Sequence, residues 1–529
     1  MRIKLLLAGS LILFFANIWG VSIYIFDESR NAGCAREMWL NNEWVVPTFN
    51  GELRDVKPVL HYYFMRVGYS LFGGHSAAGS SAGARFFSSL SGVILVWVTF
   101  LFVKKHLGEK AAFLSGLVLL AAIHNLVQFH LAVPDPYLIL FIALALYLFY
   151  NYYHERKLWQ IYACYAVLAL GVLSKGPIAL ALPGFTAIMY LLYRRNFTVQ
   201  SIISFRPISG VLLLLLIAAP WFVLVHLETN GAYTEGFFLK ENLQRFSSTM
   251  EGHGGPFYLT LVYVIGGLLP FSFFIVHAGR FVVKEKNDLL VFSGLAALVV
   301  VVFFAISETK LPNYTTPAYP FVAVVLGAWM ARYQKGDAIR LIWIAHTILL
   351  LVGIALPVGA GIGLQAEKHL AELDYLAWLF VPLPVGVGLA TYFLVNKQWL
   401  GYWYSIATGA MVTSLLFFYV SFPRLDDLSP AKAWEEELSR QVNRLVIYQV
   451  VHPSFIYPRN QPIPVIATEE KLKKYLQDTP DAVVLSQRRK VKTLVEEGVL
   501  VIEKEQRDLF EPRYSVVCYA ANTGIHGDE

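Results

Sequence analysis

The sequence predicts a polytopic α-helical membrane protein, with about thirteen spanning helices and a small α/β domain at its C-terminal end. Three observations predict it. Of the 529 residues, 56% are apolar and only 15% are charged, whereas an ordinary soluble domain carries about 25% charged residues. The apolar residues gather in runs of the roughly 20 residues that a helix needs to cross a hydrocarbon core, and mean hydropathy is +0.53. About the last hundred residues return to a soluble composition. Together these exclude collagen-like, disordered, disulfide-scaffold and nucleic-acid-binding classes. Cys34, Cys164 and Cys518 are far apart and odd in number, so they are expected as structural thiols and not as a disulfide set or metal site.

Candidate spans centre near Phe14, Leu95, Val118, Leu144, Val167, Met189, Leu216, Val264, Ala297, Val325, Leu350, Pro384 and Leu415. Residues 5–24 read as a retained first helix, because no small-residue cleavage site separates them from the charged DESR that follows. The net charge of +6 matters less than where the cations lie. Arg2/Lys4, Lys104/Lys105/Lys110, Arg156/Lys157, Arg194/Arg195/Arg206, Arg280/Lys284/Lys286, Arg332/Lys335/Arg340 and Lys397 all fall on one side of the spans. The opposite short loops carry only Lys175, Lys310 and Lys368. This bias predicts a cytoplasmic N-terminus and a tail on the outside of the membrane. In a bacterium that means the inner membrane, with the tail in the periplasm or extracellular space.

The expected membrane domain covers residues 1–422, with long external loops at about 26–84 and 228–256. The first loop has helical patterning near Ala32–Leu40 and an aromatic-rich stretch, Pro58–Phe72, that suits an interfacial helix. In the tail, residues 423–529, RLVIYQV, PVIAT, DAVVLS, VLVIE and YSVVCYA read as strands, and PAKAWEEELSRQV and TEEKLKKYLQD as amphipathic helices. The alternation predicts a small α/β domain outside the membrane. It has no Gly-rich phosphate loop. Neither a 20–50-residue repeat nor the inverted repeat of many transporters is evident.

Function is signalled by ionisable groups at the external helix ends, where charge is costly without a partner or a use. Asp27 and Glu28 follow the first span, Asp135 sits in AVPDPYL, Lys175 in LSKGPIALALP and Lys310 in SETKLPNYTTPAYP. Lys57, Arg245 and His253 belong to the long loops. Such a set suits transfer of a sugar from a polyprenyl-phosphate carrier. The leaving phosphate gains a second negative charge as the glycosidic bond breaks, and fixed cations favour that state. A carboxylate can orient or deprotonate an acceptor hydroxyl. The competing class is a transporter or flippase of the same lipid-linked sugar, which would place its charges near the bilayer midplane.

The block FDESR…AREMWLNNEWVVPTFNGELRDVKPVLHYYF resembles the first external loop of bacterial lipid A aminoarabinose transferases, GT-C glycosyltransferases related to protein O-mannosyltransferases. AVPDPYL, LSKGPIALALP, FFLKENLQRF and ETKLPNYTTPAYP follow in the family's order, over roughly residues 20–330. The resemblance implies a GT-C fold and inverting transfer from a polyprenyl-phosphate sugar. The implied acceptor is a lipid A-like glycolipid, another envelope glycan or a protein. It also implies that Asp27 and Asp135 are the catalytic carboxylates, Asp27 activating or positioning the acceptor and Asp135 matching the second external acidic position, with Glu28 supporting. Lys57, Lys175 and Arg245 would surround the donor phosphate, joined by Lys310 and Tyr314. Where some family members have an acidic residue directly before the Lys of KP, this chain has Val56, with Asp55 one step earlier. Glu52, His61 and His253 are the candidate ligands for a divalent metal, although their spacing matches no known metal motif. No other cofactor is implied, and His124 and His130 are expected at the interface rather than in catalysis.

Overall fold

In the computed structural model the described residues are 2–244, 254–333, 339–367, 369–509 and 511–521, without the side chains at 77–78 and 242–244. Arg245, His253, Lys335 and Lys368 therefore lie outside the described residues. The chain divides into two compact units. The first comprises Met1–Ile18, Asp55–Phe64 and Arg85–Ser421, and the second Trp19–Arg54, Met65–Ala84 and Phe422–Glu529.

Among the described residues, eight helices are long and apolar enough to cross a membrane, or ten if each of two bent pairs counts as one span. All thirteen expected centres fall on helices, but apolar length and helical continuity part company at five of them. Glu109–Ala121 and Ile123–His130 meet at 67°, where Ala122 is extended. Leu259–Gly267 and Phe271–Glu285 meet at 113° beside Pro270, which lacks the N–H a continuing helix needs. Arg2–Phe14, Ile178–Tyr193 and Tyr319–Arg332 have only 13, 16 and 14 residues. At about 1.5 Å per residue these fall short of a core about 30 Å thick.

Four helices of this unit position the site: α1 (Asp135–Glu155), α2 (Leu158–Lys175), α3 (Ile178–Tyr193) and α4 (Asp288–Ile306). Helix α1 is apolar nearly all round and is the most enclosed span, with 78% of its apolar window buried. It is a central post rather than a lipid-facing helix. Pro207–Glu228 is the converse, with Ile208, Leu212, Leu216, Val223 and Leu227 exposed as a surface that only lipid would cover. Asp288, in the first turn of α4, ties three of these helices together. It accepts hydrogen bonds from Tyr150 Oη at 3.1 Å, Tyr190 Oη at 2.5 Å and Arg194 Nη1 at 2.6 Å. His154 Nε2 lies 2.9 Å from Oδ2, the oxygen that accepts from both tyrosines. The opposite ends of α1, α3 and α4 carry the candidate site.

In the second unit, strands β1 (Leu445–Tyr448), β2 (Val465–Ile466), β3 (Val483–Gln487), β4 (Leu500–Arg507) and β5 (Tyr514–Ala520) form one sheet in the order β2-β1-β3-β5-β4. Strand β1 is parallel to β2 and β3, and β5 is antiparallel to β3 and β4. Alternate residues serve two cores. Leu445, Ile447, Val483 and Leu485 pack with Trp434, Phe455 and Tyr24, while Val446, Tyr448 and Val484 pack with the helices α5 (Glu469–Asp478) and α6 (Arg488–Glu496). Burial on both faces is why the parallel strands read as nearly unbroken apolar runs. The five strands match the sequence expectation, whereas α6 was not foreseen. The N-terminal part of this unit contributes the helix Phe26–Leu40 and a hairpin of Thr48–Phe49 with Glu52–Leu53. Tyr69, expected at an interface, is fully buried and donates to the Ala32 carbonyl at 3.0 Å.

One buried histidine makes the second unit pH-sensitive. His452 is 2% exposed, its ring stacked on Tyr24 at 4.6 Å. The Ser454 N–H donates to its Nδ1 at 3.3 Å, which requires a lone pair there and hence the neutral ring. Burial, aided by the charges of Arg513 and Arg30, pushes the imidazole down to about 3. The unfolded chain's histidine takes up its proton near pH 6.5. As pH falls, the unfolded state gains the proton first, so stability present above about pH 6.5 is lost progressively down to about 3. Each pH unit in that window removes about 1.4 kcal/mol. Asp508, pushed up to about 6 by burial, acts in the opposite sense between roughly pH 4 and 6. Comparison with His452→Gln isolates the histidine: protection factors of β1, β3 and β5, which divide out the intrinsic pH dependence of amide exchange, should fall less between pH 7.5 and 5 in the variant. An identical fall would assign the effect elsewhere.

Candidate active site

The first unit contains a cavity of about 400 Å³ whose polar end is built by residues that the sequence had singled out. Asp135 opens α1, flanked by Pro134 and Pro136. Proline suits a first helical turn, whose N–H groups have no intrahelical partner, and a carboxylate there meets the positive end of the helix dipole. Lys175 closes α2, and Gly176 follows it at φ +82°. That left-handed turn favours glycine, and a Cβ at this position would lie 2.6 Å from the Phe237 ring. The chain reverses here into α3, so Lys175 stays at the helix end facing Asp135. Asn313 and Tyr314 come from the 3-10 turn Pro312–Ala318 that follows α4.

These segments meet on one carboxylate. Lys175 Nζ donates to Asp135 Oδ1 at 2.6 Å, with the side chains 13% and 7% exposed. Asn313 Nδ2 donates to the same oxygen at 3.0 Å. Lys175 Nζ also lies 5.2 Å from the Tyr314 ring centroid, within the range of a cation–π contact. Lys57 lines the same cavity, and its carbonyl accepts a 2.7 Å hydrogen bond from Tyr233 Oη. The walls are Phe237, Phe238, Phe303, Phe304 and Ile178, with Glu241 among them. A polar end carrying Lys57 and Lys175 under aromatic walls suits a phosphate carried on an isoprenoid chain.

The other sequence-selected residues are placed as follows. Lys310 is buried and donates to the Ser307 carbonyl at 2.6 Å. That bond lies within its own turn, and Lys310 is not among the residues that line this cavity with Tyr314. Asp27 and Glu28 lie in the first turn of Phe26–Leu40, in the second unit, Asp27 exposed and Glu28 fully buried. Glu52 is exposed on the hairpin. His61 is fully buried in the first unit, its ring 3.8 Å from that of Tyr62. Among the described residues no three His, Cys, Asp or Glu side chains are grouped to hold a metal ion. His124 Nδ1 lies 2.9 Å from Tyr319 Oη. His130, expected at an interface, is instead a packing residue, stacked on Phe418 at 3.7 Å and bonded to the Leu126 and Ala16 carbonyls. Asn313 and Glu241 were missed, although both stand inside quoted blocks, beside Tyr314 and Lys240.

Breaking the pair from one side leaves a buried charge uncompensated, which costs about 3–5 kcal/mol. Asp135→Asn should therefore lower the thermal midpoint of the detergent-solubilised protein. The double variant Asp135→Asn/Lys175→Gln should recover part of that loss. Additive losses in the double-mutant cycle would show that the two side chains do not stabilise each other.

Comparison with known proteins gives four findings. The family profile described as dolichyl-phosphate-mannose-protein mannosyltransferase matches residues 56–224. An uncharacterized protein of Aquifex aeolicus is 30% identical over 360 residues, covering 67% of this chain and 69% of that protein. The undecaprenyl phosphate-alpha-4-amino-4-deoxy-L-arabinose arabinosyl transferase of Aeromonas salmonicida is 32% identical over 308 residues, 57% of this chain and 55% of that enzyme. Among solved structures, ArnT from Cupriavidus metallidurans bound to undecaprenyl phosphate shares the fold. It has a TM-score of 0.81 at 22% identity, covering 99% of both chains.

Proposed function

The chain belongs to the GT-C family of polyprenyl-phosphate-sugar-dependent membrane glycosyltransferases, and within it we propose that it transfers one sugar, with inversion, to a lipid A-like envelope glycolipid. The transporter reading gives way to this one. The observation that carries the reading is Lys175, held by Asp135 at the basic end of an aromatic cavity. The donor phosphate meets Lys57, Lys175 and Arg245, and its isoprenoid runs along the phenylalanine walls. Asp135 fixes Lys175 before the reaction, so the cation needs little reorganisation when charge develops.

In the step itself, an acceptor oxygen attacks the anomeric carbon and a new C–O bond forms on the face opposite the departing group. The bond from that carbon to the phosphate oxygen breaks, and its electron pair leaves with the polyprenyl phosphate as a second negative charge. A hydroxyl acceptor gives its proton to Asp27. A phosphate acceptor is already anionic near neutral pH, and Asp27 then orients it. Glu28 supports Asp27 from the same helical turn. The distribution of basic residues supports a cytoplasmic N-terminus, catalysis by residues 1–422 at the external face of a bacterial inner membrane and a tail, 423–529, in the periplasm.

Mass spectrometry of envelope lipids tests the reading. Cells lacking the protein, and cells carrying Asp27→Asn, should share the loss of one sugar mass from lipid A and accumulate the polyprenyl-phosphate sugar. A wild-type profile with Asp27→Asn would remove Asp27 from catalysis, and a loss confined to another glycan would move the acceptor. In purified protein, Asp27→Asn should lower kcat by about 10²–10⁴-fold. Lys57→Ala and Lys175→Ala should chiefly raise KM for the donor.

A further inference from the structure

The soluble sheet carries a second basic site that the transfer chemistry leaves unused. It is a groove of about 600 Å³ outside the carboxyl end of parallel strand β3, the position at which open α/β sheets characteristically bind ligands. Helix α6 starts there directly after β3, and the turn between β4 and β5 closes the other side. Arg488, Arg489 and Lys492 reach the groove from α6, and Arg513 and Tyr514 from the turn.

Three features point to an anion. Arg488 pairs with Glu505 at 2.5 Å, Arg513 with Glu511 at 3.3 Å and Lys492 with Glu496 at 3.8 Å. On the cation side all three are exposed, and such pairs are worth about 0–1 kcal/mol, weak enough to exchange for a stronger ligand, although Glu511 Oε2 itself is buried. Arg489 is exposed and has no partner among the described residues. Gln487 precedes the helix as its N-cap, yet its side chain makes no cap hydrogen bond. It is only 7% exposed, lines the groove, and its amide has no hydrogen-bond partner among the described residues. With no partner and with its amide atoms not enclosed by protein, the side chain opens onto the groove, where a bound ligand can hydrogen-bond it. The first-turn N–H groups of α6 add the positive end of the helix dipole. Guanidinium forks converging from two sides match the oxygens of a phosphate better than a single carboxylate, and the partly exposed Tyr514 ring offers a face for an attached sugar.

We propose that this groove binds the phosphate group of a phosphorylated sugar, of the kind carried by an anionic glycolipid acceptor. The assignment to the acceptor rests on the transferase reading above, whereas the binding itself requires no turnover. The test uses the full-length protein in nanodiscs of neutral phosphatidylcholine, titrated separately with glucosamine 1-phosphate, inorganic phosphate and glucosamine. Hydrogen exchange of residues 487–496 locates the ligand. The sugar phosphate should slow exchange there and bind about tenfold more tightly than inorganic phosphate, with glucosamine giving no protection. Arg489→Gln/Arg513→Gln should weaken sugar phosphate at least tenfold, while Lys471→Gln, an exposed charge on α5 outside the groove, should not. Unaltered exchange of β3 and β5 in the free variants shows that the sheet remains folded. Equal binding of inorganic phosphate would overturn the glycolipid source, and absent protection at 487–496 or undiminished binding by the double variant would overturn the site. Failure of the Asp27 experiment alone would leave these readouts intact.

Discussion

The Asp135–Lys175 ion pair is the interaction on which the first unit's architecture converges. Two charges at a helix junction in a membrane protein carry a desolvation penalty of several kcal/mol each, so they persist only with close geometry and additional hydrogen bonds. Here the geometry comes from backbone chemistry. Prolines fix the start of α1, a left-handed glycine ends α2, and a 3-10 turn after α4 delivers Asn313 to the same oxygen. At the other ends of α1, α3 and α4, Asp288 gathers Tyr150, Tyr190 and Arg194. Helix α1 runs between them for 21 residues, or about 30 Å at 1.5 Å per residue. Two carboxylates thus fix opposite ends of α1, Asp135 to α2 and the turn after α4, and Asp288 to α3 and the start of α4.

That arrangement suits a lipid-linked donor. An aromatic cavity favours the isoprenoid without directing it, whereas Lys175 near Tyr314 supplies a fixed cation where phosphate charge would grow. Because Asp135 already neutralises Lys175, a phosphate placed there as proposed would have to compete for a cation held in place. Its gain would be greatest on acquiring a second charge, which is the condition for lowering a barrier rather than merely tightening binding.

The second unit obeys a different rule. Its parallel strands are covered on both faces, which makes them conspicuous as apolar runs in the sequence. The charged RRKVKTLVE segment hides a helix because only Val491, Leu494 and Val495 mark its buried side, and Arg and Lys dominate the rest. That concealed helix also supplies most of the basic groove.

Composition and periodicity determine the membrane class, the helical positions and the five strands, because hydropathy and alternation are local sums along the chain. Ordered blocks around Asp135, Lys175 and Tyr314 likewise mark residues that meet at one cavity, since charge and proline at a span's end are conspicuous against apolar neighbours. Tertiary structure decides the rest. Lys175 finds a carboxylate forty positions away, whereas Lys310 donates to the Ser307 carbonyl within its own turn. Asn313 reaches the site only because the turn after α4 packs over α1. Apolar runs cannot report the bends at Ala122 and Pro270, since hydrophobicity measures the environment a segment prefers and not the path its backbone takes through it.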